Sequence, residues 1–431
     1  MNTYSFNNLS ENKLKELIQR PKIDFQSIFE QVAPIIQQVK QEGDAGIDHY
    51  TQQFDGISPD PLVINPAEQE VAIDDDFKEA IDTAFDNIYR FHKAQLPERL
   101  EVETMSGVHC KRLTRPIERV GLYVPGGTAI LPSTLMMLGI PAMLAGCSTI
   151  VVATPPATDG SIADEILYIA QKIGATHLLK AGGAQAVAGM ALGTKTVPKV
   201  DKIMGPGNQY VTAAKMMLQN SEAQIAIDMP AGPSELLVIA DGSANPAYVA
   251  ADLLSQAEHG EDSQVVLVAT SDFDLNACRR QMNQQLAELP RQQVAQKAID
   301  KSFILAVETL EEGFKFSNQY APEHLSVQCE DPEEYEDLIM NAGSVFLGKW
   351  TPESAGDYAS GTNHTLPTYG YARMFSGVSV DSFLKQITMQ KITAHGLQNV
   401  GPAVEKLAEL EKLEAHKNAV SIRLKDITKN T

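Results

Sequence analysis

From residue 120 onward the chain repeats one texture: a short apolar run, a glycine- or proline-rich turn, then a stretch with helical spacing. Residues 120–124 run into Pro125-Gly126-Gly127 and residues 149–153 into Thr154-Pro155-Pro156, with helical patterns such as residues 163–172 separating the runs. Continuous apolar runs of this length fit strands buried on both faces, and their alternation with helices favours a mostly parallel sheet covered by helices. A second block of the same kind opens at Glu235. There residues 236–240 read as a buried strand, Asn245-Pro246 as a helix cap and first helical residue, and Gly260 as a helix stop. Residues 265–269, 303–307 and 344–347 read as further strands. The fold class is therefore α/β, with two blocks that duplication could relate and no tandem repeat.

The flanks are helical. Residues 9–54 carry Phe25, Ile28, Phe29 and Val32 at helical spacing, with Pro34, Gly43 and Gly46 as breaks. The last fifty residues place Val404, Leu407, Leu410 and Leu413 on one stripe after Gly401-Pro402. The longest apolar stretch, residues 130–147, is interrupted by Pro132, Ser133, Thr134 and Pro141. A spanning helix needs about 20 predominantly apolar residues, so this stretch reads as a buried helix broken near Pro141, and no membrane association is expected.

At roughly 150 residues per domain, 431 residues provide two or three domains. A net charge of −20 has the wrong sign for a surface that neutralises nucleic-acid phosphates. The 43% hydrophobic and 21% charged content lacks the signature of a disordered chain. Cys110, Cys147, Cys278 and Cys329 form no C-x-x-C spacing and read as free, mostly buried thiols. The amino terminus has neither the basic flank nor the apolar stretch of a secretory signal, which points to a reducing, cytoplasmic setting.

Among the nine histidines, His49, His92, His109, His177 and His395 have no partner at a telling spacing. Gln256 and His259 are three apart on one helical face and could hold one ion together, although, taken alone, a polar helix end is the commoner explanation of such a pair. Further ligands are available in Ser354-Ala355-Gly356-Asp357-Tyr358 and Glu414-Ala415-His416-Lys417. Glu323-His324, after Pro322, sets a carboxylate beside an imidazole and suits acid/base work; an exposed helix start is the ordinary alternative. Three turns, Pro125-Gly126-Gly127, Gly182-Gly183-Ala184-Gln185 and Gly205-Pro206-Gly207-Asn208, suit phosphate contact through backbone amides. None completes G-x-G-x-x-G, since Tyr210 occupies the third position after Gly205 and Gly207.

Taken together these segments resemble the histidinol dehydrogenase family over nearly the whole chain. The resemblance rests on residues 120–127, 182–185, Asp201-Lys202-Ile203-Met204-Gly205-Pro206-Gly207-Asn208, residues 227–235, Gln256-Ala257-Glu258-His259-Gly260, Pro322-Glu323-His324-Leu325, residues 354–364 and Ala415-His416-Lys417-Asn418-Ala419-Val420. It implies one zinc ion per subunit on Gln256, His259, Asp357 and His416, a mixture of two imidazoles, one carboxylate and one amide that zinc accepts. It further implies substrate contacts at Ser234, Gln256, His259, His324, Asp357, Glu411 and His416, and nicotinamide dinucleotide contacts at Tyr123, Gln185 and Asn208.

The implied reaction is a four-electron oxidation of L-histidinol to L-histidine with two NAD+, through a bound aldehyde. In it His324 is the general base and Glu323 activates water. The implied architecture is two Rossmann-like α/β domains with parallel-sheet cores, plus small helical terminal segments exchanged in a homodimer. Residues 1–26 would be the N-terminal dimerisation segment, 27–119 and 235–378 a first α/β domain, 120–234 the nucleotide-binding domain, and 379–431 a C-terminal segment that brings Glu411 and His416 to the partner's site. Residues 154–160 form a turn longer than the family pattern, expected to be a surface loop away from the motifs. The competing readings are a zinc hydrolase, a noncatalytic binding protein and a thiol-dependent aldehyde dehydrogenase.

Overall fold

The computed structural model describes residues 1–20, 25–126, 130–229 and 232–429. Gly127, Pro230 and Ala231, which belong to two of the motifs above, lie outside the described residues. The chain separates into a large unit, residues 1–95 and 118–383, and a small one, residues 96–117 and 384–431.

Two six-stranded sheets carry the large unit. In the first, Glu235–Ala240 lies between Gln264–Thr270 and His324–Gln328; Phe303–Val307 and Asn2–Ser5 extend one side and Ser344–Leu347 the other, all parallel. In the second, Arg119–Tyr123 lies between Thr149–Thr154 and Lys202–Met204, followed outward by His177–Lys180 and by Ala226–Ile227. The short strand Val63–Ile64 adds an antiparallel edge. Numbered along the chain, the five core strands of each sheet run in the same order, 3-2-1-4-5. Each sheet therefore has a point where the winding reverses, beside its first strand.

The apolar runs behave as their lack of alternation requires. Leu236, Val238 and Ala240 pack on one face of the first sheet and Leu237 and Ile239 on the other, the two-residue period of a strand buried on both sides. On the second sheet Val151, Ala153 and Leu179 meet Ile28, Val32, Ile35 and Val39 of the helix Phe25–Glu42. That stripe assigns residues 25–55 to the second sheet rather than to the block beginning at Glu235. The N-terminal segment also departs from an all-helical reading, since Asn2–Ser5 is a strand of the first sheet.

Two expected helix breaks are absent. Phe25–Glu42 runs through Pro34 because the proline and Glu30, four residues earlier, are both exposed, so water reaches the carbonyl that lost its amide partner. Pro132–Ala145 runs through Pro141 although it is buried. There the freed carbonyl of Met137 accepts a hydrogen bond from Asn363 Nδ2 at 2.6 Å, which replaces the missing amide. Asn363 Nδ2 also lies 3.2 Å from Nε2 of His92, a buried histidine whose Nδ1 lies 2.8 Å from the Ile88 carbonyl. His92 is thus a satisfied core residue.

The small unit pairs Leu384–Ile392, Val108–Pro116 and Leu100–Met105 as an antiparallel sheet and adds two helices, Ala394–Leu410 and Glu414–Lys429. Its first helix starts before Gly401-Pro402 and includes both. Among the described residues, no helix is long and apolar enough to cross a membrane.

Candidate active site

Turns from one sheet and strand heads from the other line a cavity of about 480 Å³. Pro125, Pro206, Gly207 and Asn208 come from the carboxyl ends of Arg119–Tyr123 and Lys202–Met204. Ser234, Glu323 and His324 come from the amino ends of Glu235–Ala240 and His324–Gln328, with His259, Asp357 and His364 beside them. The second sheet follows the rule that ligands collect outside strand carboxyl ends near the winding reversal; the first sheet offers its opposite end.

Glu323 and His324 are buried, not an exposed helix start. One residue of the neighbouring strand organises both. The Glu235 N–H donates to Glu323 Oε2 at 2.8 Å, and the Glu235 carbonyl lies 3.2 Å from His324 Nδ1. Glu235 is itself held by Arg20, whose Nε and Nη2 donate to its two carboxylate oxygens at 2.8 and 2.9 Å. The Arg20 guanidinium lies over the Tyr320 ring, 3.4 Å from its centroid. This planar, bidentate arrangement is one that a lysine cannot reproduce. With Nδ1 directed at a carbonyl, His324 turns Nε2 away; that atom is buried without a hydrogen-bond partner and lies 3.3 Å from Asp357 Oδ1.

Three carboxylates surround the imidazole. Glu323 Oε2 and Glu353 Oε1 lie 3.7 and 3.6 Å from Nδ1, and Asp357 faces Nε2. Burial pulls the His324 pKa down, but the charges of Glu323, Asp357 and Glu353 more than reverse this and bring it to about 10. Burial pushes Glu323 up to about 8 and Glu353 up to about 7. Perturbations of this size in a cleft mark proton-transfer sites. None of the four cysteines lines the cavity, and burial pushes the thiols of Cys147, Cys278 and Cys329 up to about 12, 11 and 12. Reactive cysteines have the opposite shift.

Gln256 and Asp357 have unused polar atoms beside which a zinc ion could be held, with His259 as the nitrogen donor. Both amide atoms of Gln256 and Oδ1 of Asp357 are buried without a hydrogen-bond partner, an arrangement a bound cation relieves. His259 Nε2 lies 4.0 Å from Asp357 Oδ2. The helix Pro246–Ala257 packs on Glu353–Tyr358, where Ser255 Oγ donates to Glu353 Oε2 at 2.7 Å. An amide oxygen, an imidazole nitrogen and a carboxylate are thus present, a donor set whose chemistry suits zinc. His324, Glu353 and Asp357 bring ligand atoms within 4.8 Å of one another; Ser255 engages Oε2 of Glu353 and leaves Oε1 buried without a hydrogen-bond partner. The other two residues named from the sequence lie in the small unit: Glu411 caps Ala394–Leu410 and His416 sits in the first turn of Glu414–Lys429, both exposed.

The glycine turns are built differently from simple phosphate cradles. A Cβ at Gly126 or Gly182 would meet Pro155 Cγ at 2.9 or 2.5 Å, so both glycines make room for that proline. The loop of residues 154–160 is therefore in contact with the motifs at its base, not remote from them. The Gly183 N–H donates to the Tyr123 hydroxyl at 3.0 Å, and Gln185 is fully buried with both amide atoms unpartnered. Gly205 has φ 127°, and its N–H donates to Asp228 Oδ2 at 2.7 Å. The buried Lys215 ion-pairs with Asp228 and donates to the Gly205 carbonyl at 2.9 Å. Asn208 is exposed, lines the cavity and caps the helix Gln209–Gln219, accepting from the amides of Tyr210 and Val211.

Arg20, Glu235, Glu353 and His364 were not singled out from the sequence. Two carried a signal: Glu235 is a charge heading an apolar run, and Glu353 stands four before Asp357, the spacing of neighbours on one helix face. His364 Nδ1 lies 2.8 Å from the Asp357 carbonyl. Arg20 carried no signal, because its partner is 215 residues away.

A buried carboxylate–imidazole pair in a cavity lined by turns and strand heads of two α/β sheets is the arrangement of an enzyme site. The histidinol dehydrogenase family model matches residues 18–424. The chain is 59% identical over 430 residues to the chloroplastic histidinol dehydrogenase of Oryza sativa, covering 99% of this chain and 91% of that protein. It is 49% identical over 434 residues to the histidinol dehydrogenase of Vibrio parahaemolyticus, covering both in full. A crystal structure of histidinol dehydrogenase from Elizabethkingia anophelis superposes with a TM-score of 0.94 at 50% identity, covering 99% of each chain. The chain belongs to the histidinol dehydrogenase family, and it is an oxidoreductase.

Proposed function

We propose that this chain completes histidine biosynthesis by oxidising L-histidinol to L-histidine, with two NAD+ and one zinc ion per subunit, through an aldehyde that stays bound. The observation that carries the reading is the pairing of Glu323 and His324 on one main-chain anchor, Glu235, in the cavity that Asp357 and His259 also line. His324 Nε2 would take the proton from the substrate's hydroxyl oxygen, and the nicotinamide, when bound, would supply the acceptor for the hydride of the carbon that bears that hydroxyl. Glu323 then removes a proton from the water that hydrates the aldehyde. Gln256, His259 and Asp357 hold the zinc, with His416 as the fourth ligand. When bound, the ion orients the substrate's nitrogens and offsets the carboxylates that raise the His324 pKa. Ser234 and Glu411 complete the substrate contacts, and Tyr123, Gln185 and Asn208 those of the dinucleotide.

The small unit supports a homodimer with shared sites. Leu407, Leu410 and Leu413 are exposed apolar residues along its helices and the turn joining them, and we assign Glu411 and His416 to the partner's cavity. The reading also places the chain in the cytoplasm, supported by four free thiols; the plant relative's name places that protein in the chloroplast. The deciding measurement supplies histidinol and NAD+ to zinc-replete protein and counts products. Two NADH per histidine are expected; one NADH with released aldehyde, or no reduction, rejects the assignment. Imidazole-free amino alcohols are the control, with discrimination of about 10⁴–10⁵ expected from a site built around polar groups.

A further inference from the structure

Three ligand atoms converge beside the substrate cavity with nothing bonded to them. His324 Nε2, Glu353 Oε1 and Asp357 Oδ1 are each buried without a hydrogen-bond partner, and one ligand atom from each of these residues lies within 4.8 Å of the other two. A buried polar atom left unpaired is costly, so three that face one another point to a shared ligand. The two carboxylate oxygens offer only lone pairs, and Nε2 does the same once Nδ1 gives its proton to the Glu235 carbonyl, 3.2 Å away. Three acceptors turned inward call for a cation.

The local structure is set to hold one. Glu353 opens the helix Glu353–Tyr358, Asp357 follows one turn later on the same face, and His324 heads the strand His324–Gln328. Ser255 Oγ donates to Glu353 Oε2 at 2.7 Å and leaves Oε1 toward the ring, 3.6 Å from Nδ1; outer partners of this kind orient carboxylate ligands. His324 Nε2 and Asp357 Oδ1 are 3.3 Å apart, close to the roughly 3.4 Å between two ligands of a tetrahedral zinc with bonds of about 2.0–2.1 Å. Two carboxylates and a neutral imidazole balance a divalent charge, and that mixture suits zinc. Asp357 joins this set to the first one. Its Oδ2 lies 4.0 Å from His259 Nε2 while its Oδ1 faces His324, so a single carboxylate presents one oxygen to each set, as a bridging ligand does in paired-metal sites.

We propose that His324, Glu353 and Asp357 form a second zinc site, bridged to the first through Asp357, and that filling it inhibits the enzyme. The proposal rests on the zinc reading above. His324 cannot hold a metal and accept the substrate's hydroxyl proton with the same Nε2 lone pair. Occupancy therefore removes the general base while Gln256 and His259 keep their ion.

The test is a count of zinc on the full chain, wild type and Glu353→Gln, dialysed to equilibrium against buffered free zinc and measured by atomic absorption. Wild type is expected to hold one ion per chain at low free zinc and two at high. Glu353→Gln is expected to hold one throughout, its second step weakened by more than about a hundredfold, since even an outer partner of a ligand is worth about 10–100-fold in affinity. The initial rate of wild type at the same free zinc is expected to fall in step with the second ion. One ion per chain in wild type throughout overturns the second site and leaves the first intact, whereas no zinc at all overturns both. Two ions in both proteins would place the second ion elsewhere and overturn the assignment, and a second ion with an undiminished rate overturns the inhibition. Should Glu353→Gln fold poorly, wild-type crystals grown in excess zinc are measured at the zinc absorption edge. Two anomalous peaks about 3.5–4 Å apart, the spacing of paired-metal sites, are expected, the second against His324 and Glu353; a single peak rejects the proposal.

Discussion

His324 has two faces with separate neighbours. Nδ1 lies against the carbonyl of Glu235, which orients the ring before any substrate arrives, and Nε2 faces Asp357 without a hydrogen-bond partner. Replacing it by alanine removes the base but none of Gln256, His259 or Asp357. Turnover should fall by about 10²–10⁴ while zinc measured by atomic absorption stays stoichiometric; loss of zinc together with activity counts against the assignment. Asp252 gives a cleaner view of charge in this interior. It is buried in the helix Pro246–Ala257, where Gln328 Nε2 donates to it at 3.3 Å, and burial pushes its carboxyl up to about 7. Because the folded-state pKa lies above the unfolded one, folding favours the protonated form. The stabilising contribution is complete below about pH 4 and is lost as pH rises through 7. Asp252→Asn should therefore gain stability over wild type in urea denaturation, and the gain should grow by about 2–3 kcal/mol between pH 5 and pH 8. A gain that does not change with pH would show that Asp252 is not the titrating group.

The elements explain which parts of the site were legible. Glu323-His324, Gln256 with His259, and Asp357 were visible because each is a short run of chemically unusual residues at a strand head or helix end. The clamp between Arg20 and Glu235 was not, since it joins a segment following the helix Glu11–Ile18 to a strand in the middle of the chain. Local spacing carries no record of such a pair. The prolines misled for a related reason. Pro141 breaks a helix by local rules, and only the tertiary bond from Asn363 to Met137 cancels the effect. The clamp itself can be measured. Arg20→Lys keeps the charge but not the two parallel hydrogen bonds, so kcat should fall by about tenfold, the effect of roughly 1.4 kcal/mol of lost positioning. The pH profile of kcat should also shift, because Glu235 carries both Glu323 and His324. A variant that loses thermal stability with an unaltered pH profile would leave Arg20 a purely structural residue.

For the whole molecule, the alternation of apolar runs and turns was enough to read α/β layers. The division of the chain was harder. Residues 25–55 follow a helical start yet pack on the second sheet, and residues 96–117 are grouped with the carboxyl terminus by strand pairing across some 270 positions. Pairing at such range leaves only weak traces in one sequence. If His416 completes the partner's site, a His416→Ala chain and a His259→Ala chain, each inactive alone, should regain activity when mixed under conditions that exchange subunits. In the heterodimer one site combines the intact His259 of one chain with the intact His416 of the other, while the second site carries both defects, so recovery up to about half of wild type per heterodimer follows from the two-fold symmetry. No recovery despite exchange, shown by native mass spectrometry, would place both residues in one chain's site.

Pro155 fills the space left by the absent side chains of Gly126 and Gly182. The loop of residues 154–160 is thus anchored at its root and open at its tip, where residues 157–159 are exposed. Extra length at that tip is free to accumulate over time, whereas a methyl group at either glycine would press on the proline, which lines the neighbouring cavity of about 560 Å³. Drift in this family should appear there as insertions at the crown and as stasis two or three residues below it.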